Sequence, residues 1–323
     1  MAAFSSTTRV VYAALLGNFL VALVKFGAAW WTGSAAMLSE AVHSLVDTSN
    51  QGMLLYGIHR AALPADERHP LGHGRELYFW SFIAALQMFM LGAGVTFYEG
   101  LDHIRDPRPI VDPHVNYIVL ACSAVFEGTT WWIALREFRT AKGDLGYFEA
   151  ARRSKDPPAF IVLFEDSAAM LGIAIAFLGT LAADRLAMPI FDGVAAIGIS
   201  LVLAATAIML ARESKELLIG EPASARVTAS ILDLARQQPG VERANVVFTV
   251  HLAPDQIVVA LSLEFSDNLT TPQIEERIVA LERAVGEAHP DVIAVFVKPQ
   301  TARAYQSPRR RFLEQTEHAD VGS

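Results

Sequence analysis

The amino-acid sequence predicts an α-helical membrane protein with six transmembrane helices, followed by a small cytoplasmic α+β domain. Hydrophobic residues make up 53% of its 323 residues, and the mean hydropathy is +0.33, which is too apolar for an ordinary soluble protein. The apolar residues are also segregated along the chain. Before Ala211 they form runs long enough to cross a bilayer, which takes about 20 residues, and after it they form short alternating or helical patterns.

Six segments are long and apolar enough to be transmembrane helices. We place them at residues 10–31, 35–59, 77–101, 115–138, 158–182 and 189–211. Only Thr32, Gly33 and Ser34 separate the first two segments, which predicts a tight helical hairpin. Together the segments predict a transmembrane domain over residues 1–211.

The positive charges of the loops predict the orientation. The loops after the second and fourth segments hold nine Lys and Arg residues, and the loops on the other side hold three. Because these residues are in excess on the cytoplasmic side, we expect both termini in the cytoplasm and the spans in a bacterial inner membrane, in contact with its lipid. The net charge of −8 gives no support for a nucleic-acid partner. Cys122 is the single cysteine, which excludes a disulfide framework within one chain.

After the last segment the pattern predicts a small α+β domain over residues 212–300. Its expected order is helix, strand, strand, helix, strand, at residues 224–238, 246–252, 257–265, 271–289 and 291–298. This order is typical of a two-layer α+β domain. We expect the tail over residues 301–323 to be disordered, with its arginine run able to contact anionic lipid.

Ionisable and strongly polar side chains inside the segments are few, and each is costly in hydrocarbon unless it is paired or functional. They are Asn18, Lys25, Glu40, His43, Asp47, Asn50, Glu127, Glu165 and Asp166. We interpret Lys25 and Glu127 as interhelical hydrogen-bonding or terminal groups. His43, Asp47 and Asp166 are interpreted as metal ligands, because three such groups on two segments are hard to explain as packing.

His43 and Asp47 are four residues apart, so on a helix they share one face and can bind one divalent cation. Asp166 is expected to join them from the fifth segment, where small residues allow close approach. A tetrahedral site needs a fourth group. Glu165 points about 100° away from Asp166 around the helix, and a water molecule or Asn50 is an equally good candidate.

Four motifs resemble those of the cation diffusion facilitator family, the zinc-type divalent metal efflux transporters. They are Ser34-x-Ala36-x-Leu38-x-Glu40-Ala41-x-His43-Ser44-x-x-Asp47-x-x-Asn50-Gln51, His69-Pro70-Leu71-Gly72-His73-Gly74-Arg75-Glu76, Asp166-x-x-x-x-x-Gly172 and Leu217-Leu218-x-Gly220-Glu221-Pro222. The resemblance covers about residues 8–300. It implies exchange of metal for protons by alternating access, and a homodimer with a ferredoxin-like C-terminal dimerisation domain.

The resemblance also implies a ligand set. In the family, two ligands four residues apart on the second segment join two ligands four apart on the fifth. His43 and Asp47 match the first pair, and Asp166 matches the last ligand. Val162 stands where many members have histidine. The chain departs from the pattern there, and either Glu165 or water takes that place.

Two further positions follow from the resemblance. Asp66, His69 and His73 match the spacing of a cytoplasmic loop metal site in some members. The alternative is that this loop caps the third segment and contacts lipid headgroups or the C-terminal domain. In that domain we expect no full regulatory metal cluster, which leaves His251 as a surface residue.

The sequence therefore predicts a transporter rather than an enzyme. It is expected to export a divalent transition metal, with Zn²⁺ the first candidate, against an inward flow of protons. Nitrogen and oxygen ligands without cysteine are also compatible with Fe²⁺, Co²⁺ or Mn²⁺. The alternative of another class is a sensor or structural membrane protein that binds metal without transport. A metal-activated membrane enzyme has less support, because the sequence offers no substrate pocket or nucleophile–base pair.

Overall fold

A computed structural model describes residues 2–143, 146–147, 149–150 and 157–306. The chain divides into two compact units between Leu218 and Ile219. Within the described residues, the first unit consists of six long helices. They are α1 (Ala2–Thr32), α2 (Ala35–Ala61), α3 (Glu76–Arg105), α4 (Pro113–Lys142), α5 (Pro157–Arg185) and α6 (Ile190–Ile219). Each predicted transmembrane segment falls on one of these helices.

Five of the six described helices, α1 and α3 to α6, are long and apolar enough to cross a membrane. The other, α2, is 27 residues long, which is also sufficient length. Its composition is less apolar because it carries Glu40, His43, Asp47 and Asn50. Glu40, His43 and Asn50 are buried, so these polar side chains are enclosed by the helix bundle, as ionisable groups at membrane depth usually are.

The turn between α1 and α2 is the tight hairpin that the sequence predicts. Gly33 adopts a left-handed conformation with φ +67°, which favours glycine. Ser34 caps α2, and its Oγ accepts a hydrogen bond from the backbone N of Met37 at 3.1 Å. Asp192 of α6 accepts from the Ser34 hydroxyl at 2.7 Å and from the backbone N of Ala35 at 2.5 Å. The N-terminus of α2 is thereby joined to α6.

Glycines mark the places where helices approach most closely. A Cβ atom on Gly100 of α3 would lie 2.9 Å from the backbone N of Ile197 of α6, and one on Gly193 would lie 3.0 Å from the Gly100 carbonyl oxygen. On α5, a Cβ atom on Gly172 would overlap the carboxylate of Glu40 on α2. These contacts hold α2, α3, α5 and α6 close together, as small residues do between membrane helices.

The second unit contains α7 (Ala225–Arg236), β1 (Val241–Ala253), β2 (Gln256–Phe265), α8 (Thr271–Ala288) and β3 (Val292–Pro299). The strand order is β1-β2-β3, with β1 antiparallel and β3 parallel to β2. Apolar side chains of both helices and the sheet form one core, which includes Ile231, Leu281 and Val285 of the helices and Val259, Leu261 and Leu263 of the sheet. The predicted small α+β unit is confirmed.

One expectation for this unit, the surface position of His251, was wrong. His251 is buried, with 6% of its surface exposed. Its backbone N donates to the carbonyl of Glu221, in the segment before α7, at 3.0 Å. Its Nδ1 lies 3.1 Å from the Ala253 carbonyl oxygen. In the tail, residues 302–306 are helical, with the Thr301 hydroxyl accepting from the backbone N of Ala304 at 3.2 Å. The arginine run of the tail lies outside the described residues.

Candidate metal centre

His43 and Asp47 lie on one face of α2, as their spacing predicts. The His43 Nε2 atom is 3.5 Å from Asp47 Oδ2, and His43 is 1% exposed. Asp47 lies near the middle of α2 (Ala35–Ala61), about 18 Å from its N-terminal end and about 21 Å from its C-terminal end at the rise of an α-helix. The pair is therefore deep in the helix bundle rather than at a membrane interface.

Asp166 of α5 meets Asp47 at a small cavity inside the bundle. The cavity has a volume of about 20 Å³, which is enough for one water-sized particle. Its lining residues are Asn18, Val21, Ser44, Asp47, Glu127, Thr130, Asp166 and Ala169. The structure thus brings together two of the three predicted ligands from separate helices, and His43 contacts the site through Asp47.

Several polar atoms at this site are buried and without a hydrogen-bond partner among the described residues. They are Oδ1 of Asp47, Oδ2 of Asp166, Oε2 of Glu127 and both ring nitrogens of His43. A buried polar atom without a partner costs about 1–3 kcal/mol, and more when it is charged. Atoms of these types are the ones that bind divalent metals.

Glu165 and Asn50, the two side chains proposed for a fourth ligand, bind each other. The Asn50 Nδ2 atom donates to Glu165 Oε1 at 2.8 Å, and both residues are buried. Neither is among the residues that line the cavity. Val162, one turn before Asp166, offers no ligand atom, so the departure from the family pattern is a real chemical difference.

Lys25 of α1 is fully buried beside this cavity. Its Nζ atom donates to Glu127 Oε1 at 2.6 Å, to Ser44 Oγ at 2.8 Å and to Glu40 Oε2 at 3.0 Å. The interhelical hydrogen bonds predicted for Lys25 and Glu127 are present. Glu127 also lines the cavity with Asp47 and Asp166, which was not predicted. The signal in the sequence was a carboxylate in an otherwise apolar segment.

Asp66, His69 and His73 come together in the loop between α2 and α3. Each offers one ligand atom, and these atoms lie within 4.8 Å of one another. Asp66 Oδ1 is 3.2 Å from His69 Nδ1, and Asp66 Oδ2 is 3.6 Å from His73 Nε2. The turn between the histidines depends on Gly72, with φ +83°. The loop therefore places three potential metal-ligand atoms close together.

The electrostatics of this loop favour a charged Asp66. Its pKa is lowered, chiefly by the hydrogen bond from the backbone N of His69 and also by that from Arg68. The bonds to its Oδ1 are 2.7 Å and 2.8 Å long. Asp66 is therefore an anionic ligand at neutral and mildly acidic pH.

Six helices with ionisable side chains in their interior, followed by a small α+β unit, define a helical membrane protein with metal-ligand groups in its bundle. A family model described as the cation efflux transmembrane domain matches residues 11–219. The chain belongs to the cation diffusion facilitator family, which confirms the resemblance in its motifs.

Three relatives illustrate this membership. The human mitochondrial proton-coupled zinc antiporter SLC30A9 is 31% identical over 277 residues, which are 85% of this chain and 49% of that protein. Metal tolerance protein C4 of Arabidopsis thaliana is 30% identical over 272 residues, 83% of this chain and 59% of that protein. The cation-efflux pump FieF of Escherichia coli O1:K1 / APEC is 26% identical over 298 residues, 88% and 91% of the two chains. The chain spans about half the length of SLC30A9.

Proposed function

We propose that this protein exports a divalent transition metal, with Zn²⁺ as the first candidate, in exchange for protons. The observation that carries the proposal is that Asp47 of α2 and Asp166 of α5 line one ion-sized cavity in the middle of the bundle. His43, in contact with Asp47, supplies a nitrogen ligand. The names of the relatives, a zinc antiporter and a cation-efflux pump, support the same activity.

The ligand chemistry supports the exchange of metal for protons. Carboxylate and imidazole groups bind metal only in their deprotonated forms, so metal binding releases protons. His43, Asp47 and Asp166 therefore hold either the metal or protons. If the cavity opens to the two sides of the membrane in turn, proton binding on the outer side displaces the metal there. Transport in this scheme requires both aspartates, because each of them holds the ion from a different helix.

The loop trio of Asp66, His69 and His73 is proposed as a second metal site on the cytoplasmic side. Its ligand atoms are close together, and two of the three residues are exposed, so an ion reaches them without any change in the bundle. The charged state of Asp66 attracts cations from solution. We propose that this loop captures metal before it enters the bundle.

The assembly and location complete the proposal. We propose a homodimer in a bacterial inner membrane with both termini in the cytoplasm, from the loop charges and the family. The alternative is a membrane protein that senses or binds metal and does not move it. The unpartnered ligand atoms at the cavity are compatible with both, so flux has to distinguish them.

The test is metal flux in sealed proteoliposomes with an imposed pH gradient. We expect gradient-dependent Zn²⁺ flux in the wild type and at least a tenfold loss in Asp47→Ala and in Asp166→Ala. Asp106→Ala is the matched control, because this carboxylate is exposed after α3 and pairs with Arg108. Metal binding without any gradient-dependent flux would support the sensor alternative. Wild-type flux in either aspartate variant would exclude this cavity as the transport site.

A further inference from the structure

We propose that Glu127 of α4 is a ligand of the transported metal, in the place of the family ligand that Val162 lacks. This inference rests on the proposed function, because it adds a ligand to the same intramembrane site. With Glu127 included, the metal ligands come from three helices instead of two. The site also has one more oxygen ligand and one fewer nitrogen ligand than the family pattern with two histidines.

The position of Glu127 carries the inference. Its side chain lines the cavity that Asp47 and Asp166 line. Its Oε1 atom is held by Lys25 at 2.6 Å, whereas its Oε2 atom is buried and has no hydrogen-bond partner among the described residues. One carboxylate oxygen is thus fixed, and the other remains available for a ligand bond.

The other candidates for this role are less suitable. Glu165 already accepts a hydrogen bond from Asn50 and does not line the cavity. Among the residues that do line it, the ionisable ones are Asp47, Glu127 and Asp166. Each comes from a different helix, so together they enclose the cavity from α2, α4 and α5.

The three carboxylates at the cavity do not form a closed ligand set in this structure. In the part of the chain that the structure describes, the group whose three ligand atoms lie within 4.8 Å of one another is the loop trio. Binding of one ion by Asp47, Glu127 and Asp166 therefore requires these side chains to move closer together, and the attraction of a divalent cation for each carboxylate favours that movement.

Lys25 acts as a positioning residue in this arrangement. Its single ammonium is shared between Glu40 and Glu127, so it cannot neutralise both carboxylates. Lys25 fixes the rotamer of Glu127. The negative charge of the two carboxylates that Lys25 leaves unbalanced attracts a cation. A set of three carboxylates and one imidazole is compatible with Zn²⁺ and favours Mn²⁺ more than a set with two imidazoles does.

The experiment uses the purified full chain carrying His69→Ala and His73→Ala, so that the signal comes from the intramembrane site. Co²⁺ is the probe, because its visible absorption bands depend on its ligands. We expect Glu127→Gln to weaken Co²⁺ binding at least tenfold and to change the spectrum at saturation. Glu165→Gln is the matched control, because it makes the same change at a buried carboxylate that does not line the cavity. Its saturated spectrum is expected to match that of the parent.

A spectrum of Glu127→Gln at saturation that equals the parent spectrum would overturn the inference, even with weaker affinity, because Glu127 would then act only as a counter-ion of Lys25. The same spectral change in Glu165→Gln and Glu127→Gln would overturn it as well. Asp47→Ala and Asp166→Ala separate this failure from that of the proposed function. If both abolish Co²⁺ binding, the intramembrane site stands whatever Glu127 does. If both retain it, the proposed site itself is wrong.

Discussion

Replacing Gly172 by alanine tests the close packing of α5 against α2 at the site. A Cβ atom at this position would overlap the carboxylate of Glu40. Glu40 is completely buried, and its Oε2 atom is bound to Lys25 at 3.0 Å, so the carboxylate cannot move aside without weakening that ion pair. Overpacking of this kind costs about 1–3 kcal/mol.

The matched control is Gly52→Ala, because a Cβ atom at Gly52 of α2 would have no described atom within 4 Å. Alanine is favoured over glycine inside a helix by about 1 kcal/mol, and this gain applies to both variants. We therefore expect Gly172→Ala to be less stable than Gly52→Ala by about 1–3 kcal/mol. The measurement is the free energy of unfolding in detergent by a denaturant titration. Equal stability of the two variants would refute the packing argument.

Three further predictions concern the site and its supports. Adding Val162→His to the Glu127→Gln variant is expected to raise its Zn²⁺ affinity at least tenfold, measured by titration calorimetry. An unchanged affinity would exclude Val162 as a position that faces the ion. Asp192→Asn removes the carboxylate that accepts hydrogen bonds from Ser34 and from the start of α2. We expect it to lower the free energy of unfolding by about 1–3 kcal/mol. An unchanged free energy of unfolding would mean that these hydrogen bonds do not stabilise the fold. Asp66→Asn is expected to weaken Zn²⁺ binding to the loop at least tenfold at neutral pH, because the hydrogen bonds from the backbone N of His69 and of Arg68 lower the pKa of Asp66 and keep its carboxylate charged there. An unchanged affinity by titration calorimetry would contradict the loop site.

The sequence predicted the transmembrane helices well because each is a local property. A run of about 20 apolar residues can span the bilayer whatever its neighbours are, and all six predicted segments fall on helices of the structure. The strands and helices of the second unit followed from alternation and helical periodicity in the same way. The surface position expected of His251 was wrong because a segment distant in sequence covers it.

The candidate ligands were predictable where they belong to one short segment. His43 and Asp47 share a helix face by their spacing, and the loop trio lies within eight residues. The proximity of Asp166 to Asp47 was inferred from their ligand chemistry and the small residues around them, and the family resemblance supported it. No local pattern indicates by itself which helices are neighbours. The position of Glu127 at this cavity was not predicted, since Glu127 lies on a different helix from both aspartates.

By itself, the sequence determined the six helices, the α+β unit, and the chemistry of each buried ionisable group. It also determined that Val162 cannot be a ligand. Only the tertiary structure decided that Asp47, Glu127 and Asp166 line one cavity, while Glu165 turns to Asn50. The physical reason is that helix formation depends on neighbours within a turn or two. Which helix faces meet depends on the packing of the whole bundle, including the glycine contacts that bring α2 and α5 together.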